Sequence, residues 1–465
     1  MPTNWFKKLI ARRDTSAIGC LDFGTAFSKV AVVDAEQTVD LDERSVHMLP
    51  IGEGISNNPL LLPSLLFVSD DGVLVGQAAE REARRQEARG RSAFMSPKQH
   101  LSTHALGNLD DPLSSDIDPS GAYTARKLIT LYLAFMMRRA EWAAAKIKAP
   151  WPVPFRVARP AWNAERAQWG EEALRDMVRH ALFLSERFDR ELLASEALPH
   201  SVINAALQEL PASIDQSDER IFVVSEQDTV TVSEATAVGA GSIRPRGRRV
   251  VVVADIGGGT SDFAAFMTGL PGRNIVAEIS GSANVLREAG DFLDMQLRRI
   301  LSEKAGFLPD DPAAQGAMAV LRSRQRRLKE TLFREGRLAQ DFGDFWIQLA
   351  VEEFLGDERV KEFADRLRTT FLKTADLAIS CAKSFSPPGH RVKLEILATG
   401  GGHALPMVAD MVSTLPGDWE YTRIRPEIFR TRDSQKAEDF IRLAVAIGGA
   451  VRELPKETAP INLNL

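Results

Sequence analysis

The chain has 465 residues, more than one hydrophobic core usually serves, so we expect at least two packed units. Its 44% hydrophobic and 26% charged residues are typical of a soluble globular protein, and its net charge of -5 argues against a dedicated nucleic-acid-binding protein, which needs clustered excess lysine and arginine. The two cysteines, Cys20 and Cys381, lie in apolar stretches and favour two buried thiols over a disulfide or a metal site.

The N-terminus has no signal-peptide core, and no apolar run reaches about 18 residues, so we predict a cytoplasmic protein. Residues 1–16 form a basic amphipathic segment, and its part 4–13 reads NWFKKLIARR. Such a segment suits contact with a membrane surface, although it is short for an anchor. Docking on the protein itself or on a partner is the alternative.

Residues 17–34, AIGCLDFGTAFSKVAVVD, predict a strand, a glycine turn and a returning strand, and so does RRVVVVADIGGGTSDFAAF at 248–266. At a constant offset of 233 residues, the two turns match at an aspartate, a glycine and a serine: Asp22 and Asp255, Gly24 and Gly257, Ser28 and Ser261. A repeat at about half the chain length predicts two related lobes.

The chemistry of these turns suits a phosphate ligand. Glycines let backbone N–H groups approach an anion closely, and the hydroxyls of Thr25 and Thr260 add donors. Two turns facing each other across a cleft would hold a polyphosphate from both sides. The aspartates repel phosphate and instead suit a hydrated Mg²⁺ or a polarised water. For either turn alone, glycines and aspartates that only shape a hairpin are the alternative.

The stretches DFGTAFSKVAVV and VADIGGGTSDFAAF resemble the phosphate signatures of the actin, sugar-kinase and heat-shock chaperone superfamily, most closely the ATPase domain of the seventy-kilodalton heat-shock chaperones. The resemblance implies an α/β protein with the two-lobed actin-like ATPase fold, each lobe a ribonuclease-H-like mixed sheet with flanking helices. It also implies ATP or ADP with Mg²⁺ between the lobes. The implied divisions are lobe I at 17–243 with a return helix at 435–454, lobe II at 244–434 with a mainly helical subdomain at about 300–385, and a tail at 455–465.

Other stretches resemble the family in the same order. FMSPKQHL lies where the family carries a lysine that reaches the γ-phosphate and the attacking water, which makes Lys98 the candidate. A solvated loop lysine is the alternative. TVSEATAVGAGS is similar to a lobe-crossing helix whose glutamate positions the metal's water, here Glu234, and its small residues predict a close helix crossing. A long, partly polar insertion precedes it at about 183–228.

Toward the C-terminus, LEILATGGGHALPMV resembles the segment that holds the adenosine and the α-phosphate, and RLAVAIGGAVREL resembles a second hinge-crossing helix. The family's adenine helix carries a lysine, an arginine and a serine. This chain keeps Lys329 but has Glu330 and Phe333 at the other two positions, and Ala404, beside His403, replaces a base-stacking arginine. The adenine is therefore held differently, or another nucleotide binds, or the site is a scaffold. The retained carboxylates favour a working triphosphate site with altered base recognition.

The resemblance implies the following site residues. The catalytic residues are Asp22, Lys98, Glu234, Asp255 and Asp262, of which Asp22, Glu234 and Asp255 hold the metal through water. The nucleotide-binding residues are Gly24, Thr25, Ala26, Gly257, Gly258, Gly259, Thr260, Lys329, Gly400, Gly401 and Gly402.

The expected function is that of an ATP-binding and ATP-hydrolysing, chaperone-like switch that acts on a partner protein and has no peptide-binding domain of its own. The alternatives are a scaffold that binds nucleotide without hydrolysis and an actin-like filament former or membrane-associated protein; a small-molecule kinase ranks below them. The mixed-charge stretches 80–91 and 322–330 indicate solvated helix faces rather than nucleic-acid patches. For the tail, a frayed terminus is expected over a docked, linker-like segment.

Overall fold

A computed structural model gives the fold of most of the chain. It describes residues 17–34, 45–52, 58–86, 89–103, 108–151, 153–159, 162, 164–188, 196–210, 231–270, 275–307, 312–341, 346–385, 394–413, 415, 421–426 and 433–458. The chain is a mixed α/β protein with several sheets. The predicted N-terminal segment at 1–16 lies outside the described residues.

The strands are short and spread over the whole described chain. They are β1 (Ala17–Asp22), β2 (Phe27–Asp34), β3 (Val46–Met48), β4 (Leu62–Pro63), β5 (Leu65–Val68), β6 (Gly72–Val75), β7 (Phe94–Met95), β8 (Phe155–Arg159), β9 (Leu198–Pro199), β10 (Thr231–Ser233), β11 (Arg249–Ile256), β12 (Ser261–Thr268), β13 (Val276–Ile279), β14 (Asn284–Leu286), β15 (Arg337–Asp341), β16 (Trp346–Ala350), β17 (Leu394–Thr399), β18 (Tyr421–Ile424) and β19 (Lys456–Thr458).

Helices occupy half of the connections between these strands. They are α1 (Gln77–Gln86), α2 (Pro97–Thr103), α3 (Ala125–Ile147), α4 (Ala164–Arg187), α5 (His200–Gln208), α6 (Glu234–Ser242), α7 (Gly290–Ala305), α8 (Pro312–Glu335), α9 (Val351–Gly356), α10 (Glu358–Phe385), α11 (Pro406–Ser413), α12 (Ser434–Arg442) and α13 (Ala444–Gly449).

Two large sheets share one strand order. The first runs β10-β8-β1-β2-β3, and the second runs β18-β17-β11-β12-β13 with β19 added at its edge. In the first sheet, β1 is antiparallel to β2 and parallel to β8. In the second sheet, β11 is likewise antiparallel to β12 and parallel to β17. The pairs β10–β8 and β18–β17 are both parallel, and the pairs β2–β3 and β12–β13 are both antiparallel. The sequence repeat therefore corresponds to a repeat of sheet topology.

The valine run of β11 shows why the central strands of the two large sheets are buried on both faces. Val250 and Val252 belong to the core that includes α7 and α10, whereas Val251 and Val253 belong to the core formed with α6 and α13. Alternate side chains of a strand point to opposite faces, so a continuous apolar run requires cover on both sides. The last residues of β11 therefore reach their turn from a rigid, fully packed strand.

Helices α6 and α13 pack closely against each other, in one core with residues of both sheets. A Cβ on Gly448 would collide with the carbonyl oxygen of Ala237. The close crossing predicted from the small residues of α6 is confirmed. A single return helix over 435–454 is wrong: the backbone leaves helical geometry at Leu443 (φ -99°, ψ 9°), and α13 ends at Gly449 because its two glycines are poor helix formers.

We expect Gly448→Ala to lower the free energy of unfolding by about 1–3 kcal/mol, because the added methyl group must push the two helices apart. Chemical denaturation with urea measures this change. Gly356→Ala is the matched control, since no atom lies within 4 Å of a Cβ at that position. Equal stabilities for the two variants would contradict the close crossing.

Part of the predicted polar insertion is ordered structure. Its first residues complete α4, and β9 pairs antiparallel with β6 in a four-stranded sheet of order β7-β5-β6-β9. At the start of α5, His200 Nδ1 lies 2.8 Å from the Tyr123 hydroxyl and its Nε2 lies 2.9 Å from the Ser69 carbonyl oxygen. These contacts form between segments far apart in sequence, so the local pattern did not predict them. Residues 189–195 and 211–230 lie outside the described chain.

The expectation of a frayed tail is wrong for Lys456–Thr458. These residues form β19 and pair in parallel with β13, which satisfies their backbone groups at the edge of the second sheet. Residues 459–465 lie outside the described chain. Cys20 and Cys381 are buried free thiols, as predicted. None of the helices in the described ranges is long and apolar enough to span a membrane.

Candidate functional site

The two predicted strand–turn–strand units are confirmed as antiparallel hairpins, β1–β2 and β11–β12. In the first turn the N–H of Gly24 donates to the Asp22 carbonyl (3.0 Å), and a Cβ on Gly24 would collide with the carbonyl oxygen of Phe27. In the second turn the N–H of Gly257 donates to the Thr260 carbonyl (2.9 Å). Each turn begins directly after an aspartate-bearing strand end, which places Asp22 and Asp255 at equivalent positions.

The two turns lie against each other. A Cβ on Gly258 would lie 2.9 Å from the Cβ of Ala26, and one on Gly259 would lie 2.9 Å from Oγ1 of Thr25. Both distances are shorter than normal contacts of a side chain, so glycine is required at this approach. The turns face each other as expected, but they touch. A polyphosphate between their tips would require the turns to move apart.

The backbone of the turns retains donors for an anion. Among the backbone hydrogen bonds of the described residues, the N–H groups of Thr25, Gly258 and Gly259 donate to no carbonyl. The Gly258 carbonyl accepts from the N–H of Asp291 (2.7 Å), so the start of α7 holds this turn through its carbonyl side. Successive unpaired N–H groups in a tight turn form a site for an anion.

Charged side chains are buried next to both turns. Lys29 Nζ lies 2.7 Å from Oδ2 of Asp22, and the Thr399 hydroxyl donates to Oδ1 of Asp255 (2.8 Å). Lys98, at the start of α2, forms an ion pair with Glu234, the first residue of α6. We call Asp22, Lys29, Lys98, Glu234, Asp255 and Asp262 the buried charge cluster. The structure thus brings all five predicted catalytic residues into one region, and with four carboxylates and two ammonium groups the cluster carries excess negative charge when fully ionised.

The cluster shifts the pKa values of its members. Burial, and next the charge of Glu234, raise the pKa of Asp255 to about 6 and that of Asp262 to about 8. Burial by itself lowers the pKa of Lys98, but Glu234, Asp22 and Asp262 outweigh it, and the net shift is upward. The pKa of Lys29 is raised in the same way, chiefly by Asp22. Without a bound cation, protons on the aspartates therefore relieve the excess negative charge.

We expect the ligand-free protein to lose stability as the pH rises from about 6 to about 8. The folded protein holds a proton on Asp262 that the unfolded chain, with a pKa near 3.8, has already released, so each rise in pH favours unfolding over this interval. Thermal melting at several pH values measures how steeply the stability falls with pH. Asp262→Asn should reduce it, whereas an unchanged slope would contradict a raised pKa at this residue.

Two buried carboxylate oxygens of the cluster have no hydrogen-bond partner within the described part of the chain. Oδ1 of Asp22 and Oδ2 of Asp262 are buried without a hydrogen-bond partner, which is the arrangement expected where a cation or its water completes the site. In the described chain, no group of three or more His, Cys, Asp or Glu residues converges closely enough to bind a metal directly. The two unpartnered carboxylate oxygens are therefore the atoms that a bound cation or its water molecules would contact.

The remaining predicted ligand residues border the second hairpin. Lys329 Nζ donates to the Gly290 carbonyl (2.6 Å) and pairs with Asp294 (2.9 Å), so it is anchored to α7. In the segment Gly400–Gly402, the N–H of Gly402 donates to the Ile256 carbonyl (2.9 Å), and a Cβ on Gly400 would lie 2.8 Å from Oδ1 of Asp255. Both groups therefore lie beside the end of β11.

The positions where the chain departs from the adenine pattern differ in their surroundings. Glu330 and Ala404 are exposed. Phe333 packs edge-on against Phe354 (5.8 Å between ring centroids) at the margin of the second core. His403 Nδ1 lies 2.9 Å from the Gly400 carbonyl oxygen. Phe333 thus contributes to packing, and Glu330 presents an anionic side chain to solvent.

Sequence reasoning missed three residues of the site. The repeat itself could have found Lys29, because the offset of 233 residues places it opposite Asp262 of the second hairpin. Thr399 ends β17, and its hydroxyl reaches Asp255 only through the pairing of β17 with β11. Gln99 follows Lys98, and its Nε2 would lie 2.5 Å from a Cβ on Gly259. No local signal marks the last two.

Comparison with known proteins adds no assignment. A scan of the chain against protein-family models finds no match, and a search of curated proteins finds none either.

Proposed function

We propose that this chain is an ATP-binding, Mg²⁺-dependent conformational switch with a two-lobed actin-like fold, each lobe ribonuclease-H-like, and that it acts on a partner protein. One observation carries the proposal: two hairpins, placed identically in two sheets of the same topology, meet at a buried charge cluster. A hairpin shaped only by its glycines does not require a cluster of charges in which five of six side chains are buried, whereas such a cluster suits a phosphate and cation site.

In the proposed mechanism, the N–H groups of both turns bind the phosphates. Asp22, Asp255 and Glu234 would hold Mg²⁺ through its water molecules, and the ion would supply neutralisation of phosphate charge. Lys98 stabilises the negative charge that develops on the γ-phosphate as water attacks it in line. Asp262, whose pKa is raised, can hold a proton near the same place.

The contact between the turns supports a switch rather than a static site. Since the turns touch, entry of a polyphosphate between them has to separate the turns, each of which is carried by one of the two sheets. Helices α6 and α13 share a core with both sheets and would carry that movement. Glu234 begins α6, so the site and the moving helix share a residue. The surface that faces the partner would change with the bound nucleotide.

The proposal is tested by titrating the purified protein with ATP, ADP and GTP in the presence and absence of Mg²⁺, and by measuring phosphate release. We expect Mg²⁺-dependent ATP binding and slow turnover. The comparison of ATP with GTP tests the altered base recognition at Glu330 and Ala404. Failure to bind any of the three nucleotides would overturn the proposal.

A nucleotide-bound scaffold without hydrolysis is the second candidate, because Lys98 is already paired with Glu234 and so is partly neutralised. It predicts tight binding of ATP with no phosphate release over hours. Lys98→Ala would then leave the nucleotide affinity unchanged, whereas the switch requires Lys98 for turnover.

A further inference from the structure

Arg326 of α8 connects the two hairpins. Its guanidinium carbon lies 4.9 Å from the ring centroid of Phe27, the residue that follows the first turn and begins β2. Its Nη2 lies 3.3 Å from Oδ1 of Asp291, and its Nε lies 3.9 Å from Oδ2 of Asp294. One side chain therefore contacts the first hairpin and the start of α7.

The contact with Asp291 extends to the second turn. The N–H of Asp291 donates to the Gly258 carbonyl, and a Cβ on Gly258 would lie 3.4 Å from Oδ1 of Asp291. Gly258 is also the residue that lies against Ala26 of the first turn. Arg326, Phe27, Ala26, Gly258 and Asp291 thus form a continuous series of contacts around the place where the turns meet.

We propose that Arg326 is a latch: its stacking on Phe27 holds the two turns in contact and opposes nucleotide entry between them. Stacking of a guanidinium on an aromatic ring contributes modestly at a partly exposed position, and the Arg326 side chain is 34% exposed. Arg326 therefore shifts the equilibrium toward touching turns without preventing their separation. The part of this proposal that concerns nucleotide entry rests on the proposed function.

The charges around Arg326 favour a latch over a phosphate ligand. Asp291 and Asp294 balance the charges of Arg326 and Lys329, so this region is neutral overall. A phosphate placed on Arg326 would also lie close to the carboxylate of Asp291. The aromatic ring of Phe27 offers no interaction to a phosphate, whereas it offers a favourable face to a guanidinium.

The latch is tested first without nucleotide, by hydrogen–deuterium exchange of the amides of Gly24, Gly257 and Asp291, which are hydrogen-bonded within or to the two turns. Arg326→Gln and Phe27→Leu should each speed exchange of both turns by about two- to fivefold relative to the amides of β17. Arg324→Gln is the matched control, because it removes the same charge from an exposed position of the same helix. Unchanged exchange in both latch variants would overturn the proposal.

The second measurement is the affinity for Mg²⁺-ATP. Both latch variants should bind about two- to fivefold more tightly than the wild type, because less free energy is spent on separating the turns. Weaker binding by Arg326→Gln with no change in Phe27→Leu would overturn the latch and make Arg326 a phosphate ligand. If the wild-type protein binds no nucleotide, the proposed function fails, and the exchange measurement still decides the latch.

Discussion

Lys98→Met should lower the free energy of unfolding by about 3–5 kcal/mol, because it leaves the carboxylate of Glu234 buried without its cation. Both side chains are nearly inaccessible, at 2% and 9% exposure, so water cannot replace the lost partner. Urea denaturation of the ligand-free protein at pH 7 measures the change. A loss below about 1 kcal/mol would contradict a charged, buried pair.

The matched double variant Lys98→Met/Glu234→Gln separates stability from chemistry. Removing both charges should recover most of the lost stability, since no unpaired carboxylate remains. Phosphate release should stay abolished in the double variant, because it lacks both the proposed cation at the γ-phosphate and the carboxylate that would orient the metal's water. Recovery of turnover together with stability would show that neither Lys98 nor Glu234 takes part in the chemistry.

Under the proposed function, Asp255→Asn should reduce Mg²⁺-dependent phosphate release by about 100-fold or more, because it removes the carboxylate that would orient the metal's water. The same change should raise the melting temperature of the ligand-free protein. Burial and the charge of Glu234 already disfavour the ionised form of Asp255, as its raised pKa shows, and asparagine removes that cost. Asparagine Oδ1 can still accept the hydrogen bond from Thr399.

The control for this prediction is Asp410→Asn, which makes the same substitution at an exposed position of α11. It should change neither the turnover nor the melting temperature. Opposite effects of Asp255→Asn on activity and stability are expected of a residue kept for ligand chemistry. A fall in both the turnover and the melting temperature of Asp255→Asn would indicate that Asp255 supports the fold through its hydrogen bond with Thr399.

The structure changes the interpretation of the predicted phosphate clamp. Sequence reasoning placed the two turns on opposite sides of a cleft, and the structure places Gly258 against Ala26. Binding and movement are therefore coupled in the proposed function, since nucleotide entry requires the turns to separate. Arg326, which sequence reasoning assigned to a solvated helix face, lies beside this contact and is the natural residue to regulate it.

Local sequence patterns determined the two hairpins, the strand burial and the close helix crossing. The valine run, the glycines and the aspartates of β11–β12 act within a few residues of one another, and the offset of 233 residues revealed the matching hairpin. These features follow from side-chain alternation and from the conformational freedom of glycine, so the sequence was sufficient to predict them.

Only the tertiary structure decided how distant segments meet. The Lys98–Glu234 pair, the bond from Thr399 to Asp255 and the pairing of β19 with β13 join residues far apart in the chain. The same holds for the contact between the turns. Each depends on the packing of whole sheets and helices around shared cores, and the free energy of that packing is not contained in any single stretch of sequence.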